Sequence, residues 1–275
     1  MIANQTIQTF GGARVARFRR ACCFSALKSL VGATLFAMFA APGRADTPVT
    51  EPYPTMAPLE QYLMPRDAEI AMARSAAPES ISRDAEVLVL GRHGYEVAEP
   101  GHNGFVCIVQ RSWESPSDSP EFWNPKGRGP ICWNAAAAHY CLPLTIKKAE
   151  MVLAGKSKSE IKAAMLASFN AGEFPTLGVG AMCYMMSKQG YLNDLGKHWH
   201  PHLMFYLPVE LASRWGANQP GSPTIASIQD LDHMTIFMVP VRSWSDGAPD
   251  ITAAELELCT PTPNPAAPLP APAKT

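Results

Sequence analysis

The densest chemistry in the sequence lies between Lys197 and Leu207, which reads Lys-His-Trp-His-Pro-His-Leu-Met-Phe-Tyr-Leu. In an extended chain alternate side chains share a face. His198, His200, His202, Met204 and Tyr206 therefore fall on one side, and Trp199, Pro201, Leu203 and Phe205 on the other. The apolar second side is expected to face the core. The first carries three imidazoles and a thioether. Two histidines one residue apart on a strand have Cα atoms about 6–7 Å apart, close enough to converge on one ion. Imidazole suits Zn, Cu, Fe and Ni, and a thioether softens a site toward Cu(I). The expected metal site is thus His198, His200, His202 and Met204, with Zn or Cu as the cofactor. His198 and His202 would be about 13 Å apart on a flat strand. Two of the three are therefore expected to bind, with a further ligand from His139, His233, Asp232, Cys183 or Met186. Neutral imidazoles would be the donors, so affinity should fall as pH drops through about 6.5. Pro201 lacks an amide hydrogen, which puts this strand at an edge or makes it irregular there. A metal-free polar pocket on the same strand stays open, and so does a purely structural role. The zincin HExxH spacing is missing.

A nucleophilic hydrolase is the rival reading. Ser187 ends a predicted strand, Asp194 follows in the segment Lys188–Lys197, and His198 or His200 comes next. A serine relay needs a base within hydrogen-bond reach and a carboxylate to orient it. Cys183 with a histidine base is the thiol version. There is no GxSxG elbow.

These residues need a scaffold. Asp67–Ala77 is Ala-rich behind Pro65 and suits a short helix. Glu86–Arg92, Tyr95–Ala98 and Phe105–Arg111 are rich in Val and Ile and separated by His93-Gly94 and His102-Asn103-Gly104, which predicts an antiparallel meander. Ser112–Pro130 is a long loop carrying Trp113, Phe122 and Trp123. A lid and a packing clamp are both compatible with it. Asn134 can cap a helix over Ala135–Tyr140, and a second is expected over Thr145–Ala154 before Gly155. Ser157–Glu160 forms a capping box opening a third. Lys147, Lys148, Lys156, Lys158 and Lys162 read as a solvated helical face. Ala181–Ser187, His200–Leu207 and Met234–Val241 are predicted strands, with a weaker one near Thr224–Ile228. Strands on both sides of a helical block predict a single α+β domain, with a mainly antiparallel sheet and a central helical insertion.

The ends differ from the middle. Basic residues from Arg14 to Arg20 precede an apolar run near Leu30–Ala41, and no acid appears before Asp46. That run is too short to span a bilayer, which takes roughly 20 residues. Gly43 and Ala45 fit a signal peptidase site, so 1–45 is expected to be a signal peptide cut after Ala45. The expected divisions are then 46–77 as an extended leader and short helix, 78–259 as the α+β domain, and 260–275 as a Pro-rich flexible tail. The whole chain has 23 Lys and Arg against 24 Asp and Glu. Residues 1–45 hold six of the bases and none of the acids, so the remainder carries a formal charge of −7. Nothing basic remains to grip nucleic acid or anionic lipid. Hydrophobic residues make up 47% and charged residues 17%, which rules out a disordered chain. Beyond the signal stand Cys107, Cys132, Cys141, Cys183 and Cys259. Export favours disulfides, and Cys107–Cys132 is the favoured bridge because it closes the long loop. No CxxC motif suggests a zinc ribbon or thioredoxin-type site.

The segments Asn103-Gly104-Phe105-Val106-Cys107, Gly180–Ser187 (Gly-Ala-Met-Cys-Tyr-Met-Met-Ser) and His198–Phe205 (His-Trp-His-Pro-His-Leu-Met-Phe) resemble those of a family of exported bacterial proteins of unassigned activity. The resemblance covers about residues 78–247. It implies export and a single domain, and supplies no catalytic residues. The sequence therefore predicts a periplasmic or secreted protein binding a small molecule or transition metal, not inserted in a membrane. A hydrolase is one alternative. An envelope protein-interaction module using the loop Trp113–Trp123 and the Pro tail is the other.

Overall fold

The structure, a computed structural model, describes residues 51–194, 196–209 and 214–250. The predicted signal peptide, the Pro-rich tail and Cys259 lie outside the described residues. Among these residues the order is α1 (Arg66–Arg74), α2 (Glu79–Ser82), β1 (Glu86–Gly91), β2 (Gly94–Glu99), β3 (Val106–Gln110), β4 (Gly129–Trp133), α3 (Ala135–Leu153), α4 (Lys158–Asn170), β5 (Met182–Met185), β6 (His202–Leu207), β7 (Ile225–Gln229) and β8 (Met234–Pro240). All eight strands join one sheet in the order β2-β1-β3-β4-β5-β6-β8-β7. The fold is α+β with a helical insertion, as the sequence predicts, and two helices intervene between the fourth and fifth strands.

The first three strands are not a meander. β1 and β2 form a tight hairpin through Arg92 and His93, closed by Gly94 at φ 123°. β3 then passes to the other side of β1 and pairs with it in parallel, Glu86 opposite Val106. The Asn103-Gly104 turn is used differently from a hairpin. Asn103 Oδ1 accepts from the Phe105 amide and its Nδ2 donates to the Ile81 carbonyl, tying the crossover to α2. β4 was not expected at all. Its apolar run is short and begins Gly-Pro, which weakens the strand signal. Pairing on both edges, to β3 and β5, supplies what local propensity lacks.

Alternation along the strands divides the core. Val87, Cys107, Val109 and Cys132 face one side, where Ala73, Ala76 and Ala77 around the end of α1 pack on them. Cys107 and Cys132 stand opposite each other on β3 and β4 and form the favoured disulfide. Leu88, Leu90, Ile108, Ile131, Trp133, Cys183, Met185, Met204, Tyr206 and Met234 face the other side, toward α3 and the loop before β4. The segment read as a leader with a short helix belongs to this body. Tyr62 and Glu69 are fully buried. Glu69 accepts from the Leu90 amide at 3.0 Å and from Arg111 Nη2 at 2.8 Å. Arg111 also donates to the carbonyls of Tyr62 and Val109, so α1 is fastened to the end of β3.

Two expected helices are one. Asn134 caps it as predicted, accepting from the Ala137 amide. It then runs through Pro143 instead of stopping near Tyr140. An interior proline removes one backbone bond. Tyr140, Cys141, Leu144, Thr145, Lys148 and Val152 bury one continuous stripe on both sides of it, and that burial outweighs the loss. The capping box at Ser157 and Glu160 opens α4 with both reciprocal bonds present. No helix among the described residues is long and apolar enough to cross a membrane.

Candidate functional site

The inner face of the sheet does not pack completely against its cover. Between them lies a cavity of about 350 Å³. Its floor is built by alternation: Ile131 and Trp133 from β4, Met185 from β5, His202, Met204 and Tyr206 from β6, and Met234, Ile236 and Met238 from β8. α3 covers one side with Cys141 and Thr145, and the loop after β3 supplies Glu114, Pro116 and Arg128. Four of these side chains are methionines, which are flexible and polarisable and adapt to irregular shapes.

The loop after β3 is a packing clamp and a cavity wall together. Trp113 and Phe122 are fully buried, the Trp113 ring packs at a tilt 5.1 Å from that of Tyr62, and the Tyr62 hydroxyl donates to the Trp123 carbonyl at 2.7 Å. Its aromatics therefore present no outward surface. Arg128 donates to the carbonyls of Gln61, Pro125 and Gly127, holding the loop in shape. Burial and the charge of Arg111 bring the Arg128 pKa down to about 10. Trp199, also in the lining, packs against Gly190, where any Cβ would collide with its ring.

The His-rich segment divides in the middle. β6 begins at His202, so the predicted alternation holds for His202, Met204 and Tyr206, which share the cavity face. It fails before Pro201. His198 is exposed, its Nδ1 3.1 Å from the Trp199 carbonyl oxygen and its ring 6.0 Å from that of Trp244. His200 Nδ1 is 2.9 Å from Asp250 Oδ2. The apolar and polar sides are also exchanged: Leu203 and Phe205 are half-buried, while the His202 side is the buried one. His202 Nδ1 lies 2.7 Å from the His200 carbonyl oxygen. A carbonyl can only accept, so Nδ1 carries the hydrogen, which leaves Nε2 as an acceptor when the ring is neutral. Burial lowers the His202 pKa and favours that neutral ring.

Of the other expected ligands, Asp232 lines the same cavity as His202 and Met204, and the rest are dispersed. His139 is exposed on α3, His233 stacks on Phe169 at 4.0 Å, and Met186 is buried. Among the described residues no group of three or more His, Cys, Asp and Glu side chains is placed to hold a metal ion. The hydrolase candidates are likewise separated. Ser187 is fully buried and pairs with the Ser75 hydroxyl at 2.6 Å. Asp194 binds Tyr53, Tyr191 and Lys126, which hold its carboxyl well below the usual range. Cys183 accepts from the Tyr206 hydroxyl, itself an acceptor from Trp133 Nε1. Burial pushes the Cys183 thiol up to about 12, the opposite of an activated nucleophile.

Sequence reasoning missed the most unusual cluster. Lys148, assigned to a solvated face, is buried together with Glu114 and Asp232. The signal was present: position 148 falls on the same stripe as Cys141, Leu144, Thr145 and Val152. Lys148 Nζ pairs with Glu114 Oε2 and donates to Asp232 Oδ2 at 3.2 Å. Burial alone would lower its pKa, but the two carboxylates outweigh burial and raise it. Burial raises the Glu114 pKa against the pull of Lys148. Glu114 Oε1 is buried with no hydrogen-bond partner among the described residues. Asp232 Oδ1 lies 2.9 Å from Lys148 Nζ, but the angle is wrong for a hydrogen bond, so it too is left unbonded.

No family model matches the sequence, and no curated protein or solved structure matches the chain significantly. The site's meaning therefore rests on its own geometry.

Proposed function

We propose that this protein binds a small organic molecule in the cavity between the sheet and α3. One observation carries the reading: a cavity of about 350 Å³, lined mainly by apolar side chains, that also receives His202, Glu114 and Asp232. Ligand pockets typically fall in the range of about 300–1,000 Å³ and combine an apolar lining with a few polar groups that fix orientation. An apolar core void of this size would be costly, since lost contacts amount to about 24 cal/mol per Å³. A mainly apolar cavity that also receives His202, Glu114, Asp232 and Arg128 is better explained by an occupant than by poor packing. The basic-then-apolar N-terminus and the Cys107–Cys132 disulfide support export to an oxidising compartment.

The test is a thermal-shift screen of aromatic and aliphatic fragments on the purified protein, repeated with Met238→Trp, which places an indole in the cavity. Fragments that raise Tm in the wild type are expected to lose their effect in the filled variant. A screen without stabilising fragments, or stabilisation that survives the filling, would sink the proposal.

A further inference from the structure

We propose that the ligand carries a protonated amine, or a comparable organic cation, held by Glu114 and Asp232 at the α3 end of the cavity. This rests on the cavity being a ligand site and names the chemistry that site selects. The argument begins with charge. Two carboxylates surround one ammonium, so the cluster of Glu114, Lys148 and Asp232 has one acid more than it has bases. The side chains are almost wholly withdrawn from water, at 8%, 1% and 10% exposure. Two guanidiniums also belong to the lining: Arg111 is matched by Glu69, and Arg128 donates to the carbonyls of Gln61, Pro125 and Gly127. Buried carboxylates demand compensation, because leaving a charge or a lone pair unpaired in an apolar setting is costly.

The hydrogen-bond inventory points the same way. Lys148 reaches Glu114 Oε2 and both oxygens of Asp232, Oδ1 at 2.9 Å and Oδ2 at 3.2 Å, so Glu114 Oε1 is the buried acceptor that no donor among the described residues reaches. Both acids line the cavity, as does the Thr145 hydroxyl beside Glu114. An ammonium supplies several donors and a positive charge at once, which satisfies both deficits. A neutral hydroxyl would supply one donor and leave the excess charge. A carboxylate would add to it. The rest of the lining, with Met185, Met204, Met238, Trp133 and Trp199, suits an apolar or aromatic body attached to that head.

The experiment compares three probes of similar size and different head: 2-phenylethylamine, 2-phenylethanol and 3-phenylpropionate. Affinities are measured by calorimetry, with the fluorescence of Trp133 and Trp199 as a second readout. The amine is expected to bind at least ten-fold more tightly than the other two. Glu114→Gln should erase that preference while leaving binding of the alcohol in place. If Glu114→Gln fails to fold, Asp232→Asn provides the second variant, and the wild-type ranking decides by itself. Equal or tighter binding of the alcohol or carboxylate overturns the amine assignment and leaves the cavity as a ligand site. Binding of none of the three at millimolar concentration overturns both.

Discussion

His202 shows how one ring can be fixed by its surroundings. It donates through Nδ1 to the His200 carbonyl and is largely buried, and burial lowers its pKa below the ordinary value near 6.5. The unfolded chain then binds the proton more readily than the folded one. The stabilisation from a neutral His202 is complete above about pH 6.5 and is lost as pH falls through the lower folded pKa. Tm measured at pH 7.5 and pH 5.0 should therefore drop more in the wild type than in His202→Gln. Gln keeps a donor for the carbonyl and does not titrate. An equal drop in both proteins would show that other groups control the acid limb. The sequence made the His segment visible through its density and alternation, and His202, Met204 and Tyr206 do share a face. His198 and His200 do not join them, because the paired strand begins at His202 and the alternation rule has no force before it.

At the scale of elements, capping chemistry was readable and burial of charge was not. Ser157 and Glu160 satisfy each other's backbone amides. The Ser157 backbone amide, then its hydroxyl and Lys156, bring the exposed Glu160 carboxyl down to about 2. A depressed acid contributes above its unfolded pKa near 4.3 and loses that contribution as pH falls through about 2. Ser157→Ala removes an N-cap and should cost about 1 kcal/mol in chemical denaturation near neutral pH. The cost should shrink at pH 2. No loss at neutral pH would mean that α4 is held by its packing alone. Such caps are local patterns, legible from four residues. Lys148 depends on partners 34 residues upstream and 84 downstream, Glu114 and Asp232, so its pairing exists only in three dimensions. Two elements were misread for the same reason. Pro143 is carried inside α3 by burial on either side, and β4 is held by neighbours from distant segments.

On the scale of the whole molecule, fastening and openness are divided across one sheet. On the α1 face the Cys107–Cys132 disulfide joins β3 to β4, and the wholly buried Glu69–Arg111 pair, whose Arg111 also belongs to the cavity lining, ties α1 to the end of β3. Removing one partner of a buried pair leaves an unpaired charge, so Glu69→Ala should lose about 3–5 kcal/mol. A loss under about 1 kcal/mol in urea unfolding would show that water reaches Arg111 and that α1 is not fastened as described.

The other face is left incompletely filled, and that asymmetry sets the last expectation. Selection for stability alone would have closed a cavity of about 350 Å³ with larger side chains than Met204, Met238 and Ile236. Sites kept for binding commonly sacrifice stability, so filling them stabilises the protein and removes the function. Met238→Trp, half-buried on β8, adds apolar volume into open space instead of into a packed core. Its Tm should equal or exceed that of the wild type, by up to about 1–2 kcal/mol in unfolding free energy, because burying an aromatic ring contributes on that order. A filled variant that loses several kcal/mol would mean that the cavity closes around its methionines in solution, and that the sheet face is core instead of site.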